Sequence, residues 1–525
     1  MVRSRRALFA VALLWVQHMV APPAPSLQFL CDFSTTSVRL AAGKATPRAT
    51  PRAEAGSTKN WGLQAKRKAR TVVRLMSHHD RGPEMQCSVL VDVELDPSAT
   101  VEEMERMIFE AGLRAMRQAL TEAIGGAEAA HPTCPHCGGN ASCSEGTVRR
   151  RVLTRFGRVV VGLRRRRCAA CGRRFRPAVA CFATLGRSAV TAALAEGCVL
   201  AGTSWPYATA AQVLRRLSGA QVSAETVRRL CNVRGDQEAS RQQAAADQLV
   251  APTAADVRAE RAQAALQPFQ PPAPCPPARL LVGLDGGWIP SRDQDGGMEG
   301  KVAVVATGSI PVGKHGRHRL TPRRYVATFA SSEAVGALTY AAAVAVGGDT
   351  APEQLVLGDG ADWIKTEADL HFPDAVGILD WAHVARALHK AIRAACPGPN
   401  NRDRRRDLHQ AIPATLWQGQ VDATLRQLQA LRPAAPATPV PLLEQAMTYL
   451  ESQRAWLGDY QTWQARGYPI GSGLIERAVA IVINRRMKRQ GMRWRRANAT
   501  ALVTLRVRIL NADWDVLDAF SPPAA

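Results

Sequence analysis

The chain has 525 residues, 46% of them hydrophobic and 21% charged, which suits roughly two to four domain cores and excludes a disordered polyelectrolyte. A formal charge of +24 and a pI of about 10.3 favour a polyanionic partner, nucleic acid ahead of an anionic membrane. Twelve cysteines spread over this length exclude the dense disulfide framework of a small secreted domain and fit a reducing compartment.

At the N-terminus, Arg3, Arg5 and Arg6 precede an apolar run from Ala7 to Trp15, in the manner of a secretory signal. The run is too short to span a bilayer, and export would suit neither the charge nor the thiols. Residues 1–84 are therefore read as a disordered or spurious upstream extension, with Met76 or Met85 as better starts. The expected location is cytoplasmic and nucleoid-associated, with no membrane span. Residues 85–130 follow as an N-terminal segment. Cys87 to Leu95 alternates like a strand, and Val101, Met104, Ile108, Leu113, Met116 and Leu120 mark a helix from Thr100 to about Ile124.

Residues 131–180 hold the clearest local signal. Cys134 and Cys137 form one Cys-x-x-Cys pair and Cys168 and Cys171 a second, and Val148 to Val161 between them reads as two strands turning near Gly157. Two such knuckles suit one tetrahedral, structural Zn2+ in a zinc-ribbon-like module with four cysteine ligands. Twelve arginines lie between Arg149 and Arg176, including the run Arg164, Arg165, Arg166 and Arg167. Guanidinium forks match phosphate oxygens, so this module is expected to contact DNA.

Residues 181–267 read as helical. Ala208 to Leu217, a turn at Ser218–Ala220 and a second helix from Val222 to Leu230 fit a helix-turn-helix as well as an ordinary packed hairpin. Ser223 is the expected cap of the second helix, and Arg228 and Arg229 are offered to a groove. A further helix to about Gln267 and a Pro-rich linker, 268–279, lead into the last region, 280–515.

That region opens on a buried strand ending at Asp285 and two glycines. Two more strands and an Ala-rich helix follow, then a second short strand ending at Asp359 and Gly360. Strand, helix and the segment Asp380-Trp-Ala-His383 complete a pattern that predicts a mixed sheet with helices on both faces. Late in the chain, Ile475, Val479, Val482 and Ile483 mark a helix, with Ser472 as its expected N-cap and Glu476 in its first turns. Arg485, Arg486, Lys488, Arg489, Arg493 and Trp494 come after it and are candidate DNA contacts. Asp285, Asp359 and Glu476 in one cleft would be a hard-oxygen donor set for two Mg2+ or Mn2+ ions, the arrangement that serves phosphodiester displacement. Singly, strand-end aspartates also serve as helix caps.

Three segments, LVGLDGGW, VLGDGADWI with FPDAVGILDWAHV, and GSGLIERAVAIVINRRMKRQGMRW, together resemble the signature regions of bacterial DDE transposases, and among them the Kra-type insertion-sequence family. The resemblance runs from about Cys87 to Asp515. It implies a ribonuclease-H-like catalytic domain with a helical insertion at about 396–467. It also implies a carboxylate triad of Asp285, Asp359 and Glu476 holding two divalent ions, with His383 either positioning substrate or acting near the scissile phosphate. A satisfied structural histidine is the alternative reading of His383. The implied activity is DNA strand cleavage and 3′-hydroxyl transfer at terminal inverted repeats and target DNA, carried out by a homo-oligomer. Asp362 departs from the family pattern and rivals Asp359, and Ala382 replaces a commonly aromatic position. The same residues leave open an inactive or domesticated copy that only binds DNA, and a nuclease that does not join ends.

Overall fold

In a computed structural model the described residues are 68–75, 87–95, 98–130, 133–177, 182, 185, 189–251, 277–312, 317–321, 323–432, 441–471 and 473–514. The signal-like run, Met76 and Met85, the linker up to 276, the helix expected as far as Gln267 beyond 251, and the Ser472 cap lie outside them.

The first described strand corrects the reading of 1–84 as wholly disordered. Strand β1 (Lys68–Leu75) pairs antiparallel with β2 (Cys87–Glu94), from Lys68 opposite Glu94 to Leu75 opposite Cys87. Helix α1 (Val101–Ala130) begins with a capping box: the Glu103 backbone N–H donates to Thr100 Oγ1 and the Glu103 carboxylate accepts from the Thr100 N–H.

Strands β3 (Ser142–Thr154), β4 (Gly157–Cys168) and β5 (Arg174–Phe175) form an antiparallel sheet in the order β3-β4-β5. In β4 the apolar residues alternate inward, so Val159, Val161 and Leu163 pack with Val152 and Phe182 beneath Leu120 and Ile124 of α1. The strands run further than the sequence pattern suggested, because the polar start of β3, Ser142 to Thr147, and the arginine run of β4, Arg164 to Arg167, carry no apolar signal.

Helices α2 (Ala192–Ser204), α3 (Tyr207–Ser218) and α4 (Ala224–Val250) follow. Ser223 caps α4, its hydroxyl accepting from the Thr226 N–H at 3.1 Å. Instead of a short recognition helix, α4 runs unbroken for 27 residues. Its Gly235 lies against the backbone of the last helix, where a Cβ would stand 2.2 Å from the Ala501 carbonyl oxygen. Val227 and Cys231 of α4 share a core with Leu505, so this helical region is packed onto the C-terminal region rather than held apart from it.

The main sheet has five strands in the order β10-β7-β6-β11-β12. Strands β6 (Arg279–Ile289), β7 (Met298–Ala306) and β10 (Arg323–Thr328) are antiparallel neighbours, while β11 (Glu353–Gly358) and β12 (Val376–Leu379) run parallel to β6. A short hairpin of β8 (Ser309–Val312) and β9 (Arg317–Leu320) stands outside this sheet. The sheet is mixed, as the sequence predicted, and both faces are covered. Ala303 and Val305 point into one core with Val335 and Ala342 of α5 (Ser332–Ala345), Ile364 of α6 (Asp362–His371) and Val384 of α7 (Trp381–Ala395). Val302 and Val304 point into another with Ile475 and Val479 of α12 (Gly473–Val479) and Leu502 of α14 (Arg496–Leu510).

Helices α8 (Arg402–Trp417), α9 (Val421–Gln429), α10 (Pro441–Ser452) and α11 (Tyr460–Ala465) occupy the interval read as an insertion. They form no separate core, since Leu416, Leu428, Leu443, Leu450, Trp456 and Tyr460 join the cluster around β11 and β12. Helix α12 passes through a π-helical turn, Ala480–Asn484, into α13 (Arg485–Met487), and α14 ends the described chain. Within this turn the Ile481 carbonyl accepts from Nε and Nη2 of Arg506. Among the described residues no helix is long and apolar enough to cross a membrane.

Candidate functional site

Register brings the predicted acids together. Leu357 pairs with Gly283, and Gly358 pairs with Leu379. Carrying these parallel registers forward past the strand ends sets Asp359 beside Asp285 on one side and Asp380 on the other. Neighbouring strands lie about 4.8 Å apart, so three aspartates line one edge of the sheet in sequence.

Glu476 reaches the same place by helix packing. Gly283, Asp285 and Gly287 share one face of β6, because side chains alternate along a strand. A Cβ on Gly283 would meet Ile475 at 3.5 Å, and one on Gly287 would stand 2.8 Å from Val479. Glycines on either side of Asp285 thus let α12 lie close over it, with Glu476 following Ile475 in the same turn. The charges reflect this proximity: burial raises the Asp285 carboxyl to about 6, and the nearby Asp359 and Glu476 carboxylates add to the rise. The Gly286 N–H, donating to Asp285 Oδ1 at 2.7 Å, opposes it, as does the charge of His383 when its ring is protonated.

Asp359 is fixed by its own turn, accepting from the Ala361 N–H at 3.0 Å. The rival Asp362 has a side chain 96% exposed and pairs with Lys365 at 3.1 Å, facing solvent in the first turn of α6. His383 Nδ1 is bonded to the fully buried Asp380, which also caps α7 by accepting from the Ala382 N–H. That bond raises the His383 pKa above its ordinary value, with Asp359 contributing further.

A cleft of about 340 Å³ opens here, lined by Asp359, His383, Arg386, Lys390 and Tyr449. The sequence reading passed over Arg386, Lys390 and Tyr449. His383, Arg386 and Lys390 are spaced three and four residues apart on α7, a cationic stripe that helical periodicity reveals. Tyr449 and Gln453 come from the inserted helices and brace the acidic turn. The Tyr449 hydroxyl donates to the Asp359 carbonyl at 3.2 Å, and Gln453 Nε2 donates to the Gly360 carbonyl at 3.0 Å.

The four cysteines of the ribbon region also converge. Their sulfur atoms all lie within 4.8 Å of one another, and among the described residues they are the group with spacing tight enough to hold a metal ion such as zinc. Each pair closes a similar knuckle: the Gly138 N–H donates to the Cys134 carbonyl at 2.9 Å and the Gly172 N–H to the Cys168 carbonyl at 3.0 Å. Both glycines sit at φ of +70°, which explains the Cys-x-x-Cys-Gly sequence of each knuckle.

The basic residues divide. Arg164, Arg165 and Arg167 are exposed on β4, Arg166 is half-buried, and Arg229, Arg485, Lys488, Arg489 and Arg493 are exposed. Arg228 is tied to Glu225 through two hydrogen bonds of 2.8 and 2.5 Å. Arg486 and Trp494 correct the expectation of a continuous DNA-contacting run, being only 1% and 8% exposed. Arg486 donates from Nε and Nη2 to the Gly202 carbonyl, and Trp494 Nε1 donates to the Met487 carbonyl. Both serve the packing of the C-terminal helices against α2 and α3. No family model matches the chain, and no curated protein matches it in sequence.

Proposed function

We propose that the protein is a DDE-type DNA transposase: a ribonuclease-H-like catalytic domain preceded by a zinc-ribbon and a helical DNA-binding region, working on DNA as a homo-oligomer in the nucleoid. The observation that carries this reading is the meeting of Asp285, Asp359 and Glu476 on one face of the mixed sheet, beside a cationic cleft. A carboxyl pushed up to about 6 by burial and two neighbouring acids is a site short of positive charge. All-oxygen donors of this kind suit Mg2+ or Mn2+.

Asp285, Asp359 and Glu476 would hold the ions, which when bound supply an activated attacking oxygen and a stabilised leaving oxygen. The remaining work falls to the chain's own side chains. Asp380 holds the proton of His383 on Nδ1 and so orients the ring toward Asp359. His383, Arg386 and Lys390 present positive charge to a phosphodiester in the cleft. Tyr449 and Gln453 fix the turn that carries Asp359. Exposed arginines of β4 would hold the duplex through its phosphates, and the cysteine cluster would take a structural Zn2+ that keeps those strands in place.

The test is DNA cleavage by Asp359→Ala and Glu476→Ala beside the wild type, on a duplex carrying the element's terminal repeat. Each variant should lose at least about a hundredfold in cleavage rate while keeping its affinity for the repeat. Variants that cleave like the wild type would remove the triad from the mechanism.

A further inference from the structure

A second cleft, of about 670 Å³, lies where α3 and α4 meet the segment leading into α14. Its chemistry is unlike that of the carboxylate site. Arg486 is 1% exposed and donates to a single carbonyl, that of Gly202, leaving Nη1 buried without a hydrogen-bond partner. The guanidinium lies over the rings of Tyr207 and Trp494, at 4.9 and 5.4 Å from their centroids. Those contacts place it without neutralising it, and among the described residues no carboxylate pairs with it. A buried cation without a counter-ion is costly unless an anion completes it.

In the same cleft Asn232 Oδ1 is buried without a partner, and the buried Tyr207 hydroxyl lies beside the Arg486 guanidinium without a well-formed hydrogen bond. At the rim Arg292, Arg493 and Arg495 are exposed, while the first N–H of α14, on Arg496, is already taken by Asp293 Oδ2 at 2.7 Å. Glu225, the acid that lines the cleft, is taken up by Arg228. Donors on Arg486 and Tyr207, an acceptor on Asn232 and the rim arginines favour an oxyanion that also carries a hydroxyl or amino group.

We propose that this cleft is a nucleotide-phosphate site, in which the phosphate oxygens accept from Arg486 and Tyr207 and the nucleoside donates to Asn232. A free mononucleotide and the phosphorylated end of a DNA strand present the same chemistry. The strand source rests on the DNA-binding reading above, and the mononucleotide source does not.

Calorimetric titration of the full chain with thymidine 5′-monophosphate, and separately with a short 5′-phosphorylated single strand and its unphosphorylated twin, distinguishes the two. Saturable binding of the mononucleotide, weakened about tenfold or more by Arg486→Gln and by Arg495→Glu, supports the site as a mononucleotide pocket. Binding of the phosphorylated strand alone, with the same losses, supports it as a strand-end pocket. Arg495 is exposed, so its variant keeps the test sound if Arg486→Gln fails to fold. Absence of binding by all three ligands, or binding untouched in Arg495→Glu, would overturn the proposal. A chain that binds the mononucleotide here yet never cleaves DNA would lose the transposase reading and keep this site.

Discussion

At the residue scale the acidic site sets stability against chemistry. Asp285 titrates near 6 in the folded chain against an ordinary value of 3.8. Its folded-state pKa is raised, so the stability it contributes is full below pH 4 and is lost as the pH climbs through 6. At pH 7 in the absence of divalent ions, Asp285→Asn should therefore stabilise the fold by about 2 kcal/mol, seen as a higher melting temperature, while removing cleavage. A variant with an unchanged or lower melting temperature at pH 7 would mean that Asp285 is not under this strain. His383 offers an independent check. Its pKa is raised chiefly by Asp380, so Asp380→Asn should move the His383 titration to lower pH in histidine NMR spectra. A titration that stays in place would show that Asp380 acts only as the α7 cap. Asp285 and Asp359 were legible in the sequence because each follows an apolar run, although β6 continues past Asp285 to Ile289. Their alignment was not, since register depends on which strands pair.

At the scale of elements, α4 and α14 are joined by buried charges. Arg508 and Glu238 are 1% and 4% exposed and pair at 2.6 Å, with Arg241 and Gln242 completing the shell around Glu238. Burial alone would raise the Glu238 pKa, yet Arg241 and Arg508 hold it below the usual carboxylate range. Glu238→Gln should destabilise the chain by about 3–5 kcal/mol in urea unfolding at pH 7, because Arg508 keeps its burial and loses its main neutralising partner. A loss below about 1 kcal/mol would mean that the buried Asp513, whose carboxylate lies 3.5 Å from Arg508 Nη1, alone suffices for Arg508. The helices themselves were readable from apolar spacing, as was the Ser223 cap. The burial of Arg486 carried a signal that charge obscured: Val482, Ile483, Arg486 and Met487 fall on one helical stripe, and all four are buried. The basic run around it reads as a solvated face unless each position is placed on that stripe. The inserted helices were legible as helices but not as braces of the Asp359 turn, because the contacts of Tyr449 and Gln453 join residues about ninety apart in sequence.

At the scale of the molecule, exposed arginines are found on β4, on α4 and beyond α12, around a formal charge of +24. Duplex binding should accordingly weaken steeply with salt, by about three orders of magnitude or more between roughly 50 and 200 mM if about six or more phosphates are contacted. A flat salt profile would exclude a phosphate-led interface. Chelation of the cysteine cluster should lower repeat affinity with little effect on the main-sheet core, because the four sulfurs belong to the small sheet and not to that core. The measurement that bears most directly on the central claim is cleavage of a duplex bearing the element's terminal repeat, with Mg2+ supplied or omitted, by the wild type and by Asp285→Ala. The expected result is a Mg2+-dependent nick at the repeat boundary that leaves a 3′-hydroxyl and is lost in the variant. Tight repeat binding with no nick under Mg2+ or Mn2+, or a nick that survives Asp285→Ala, would contradict it.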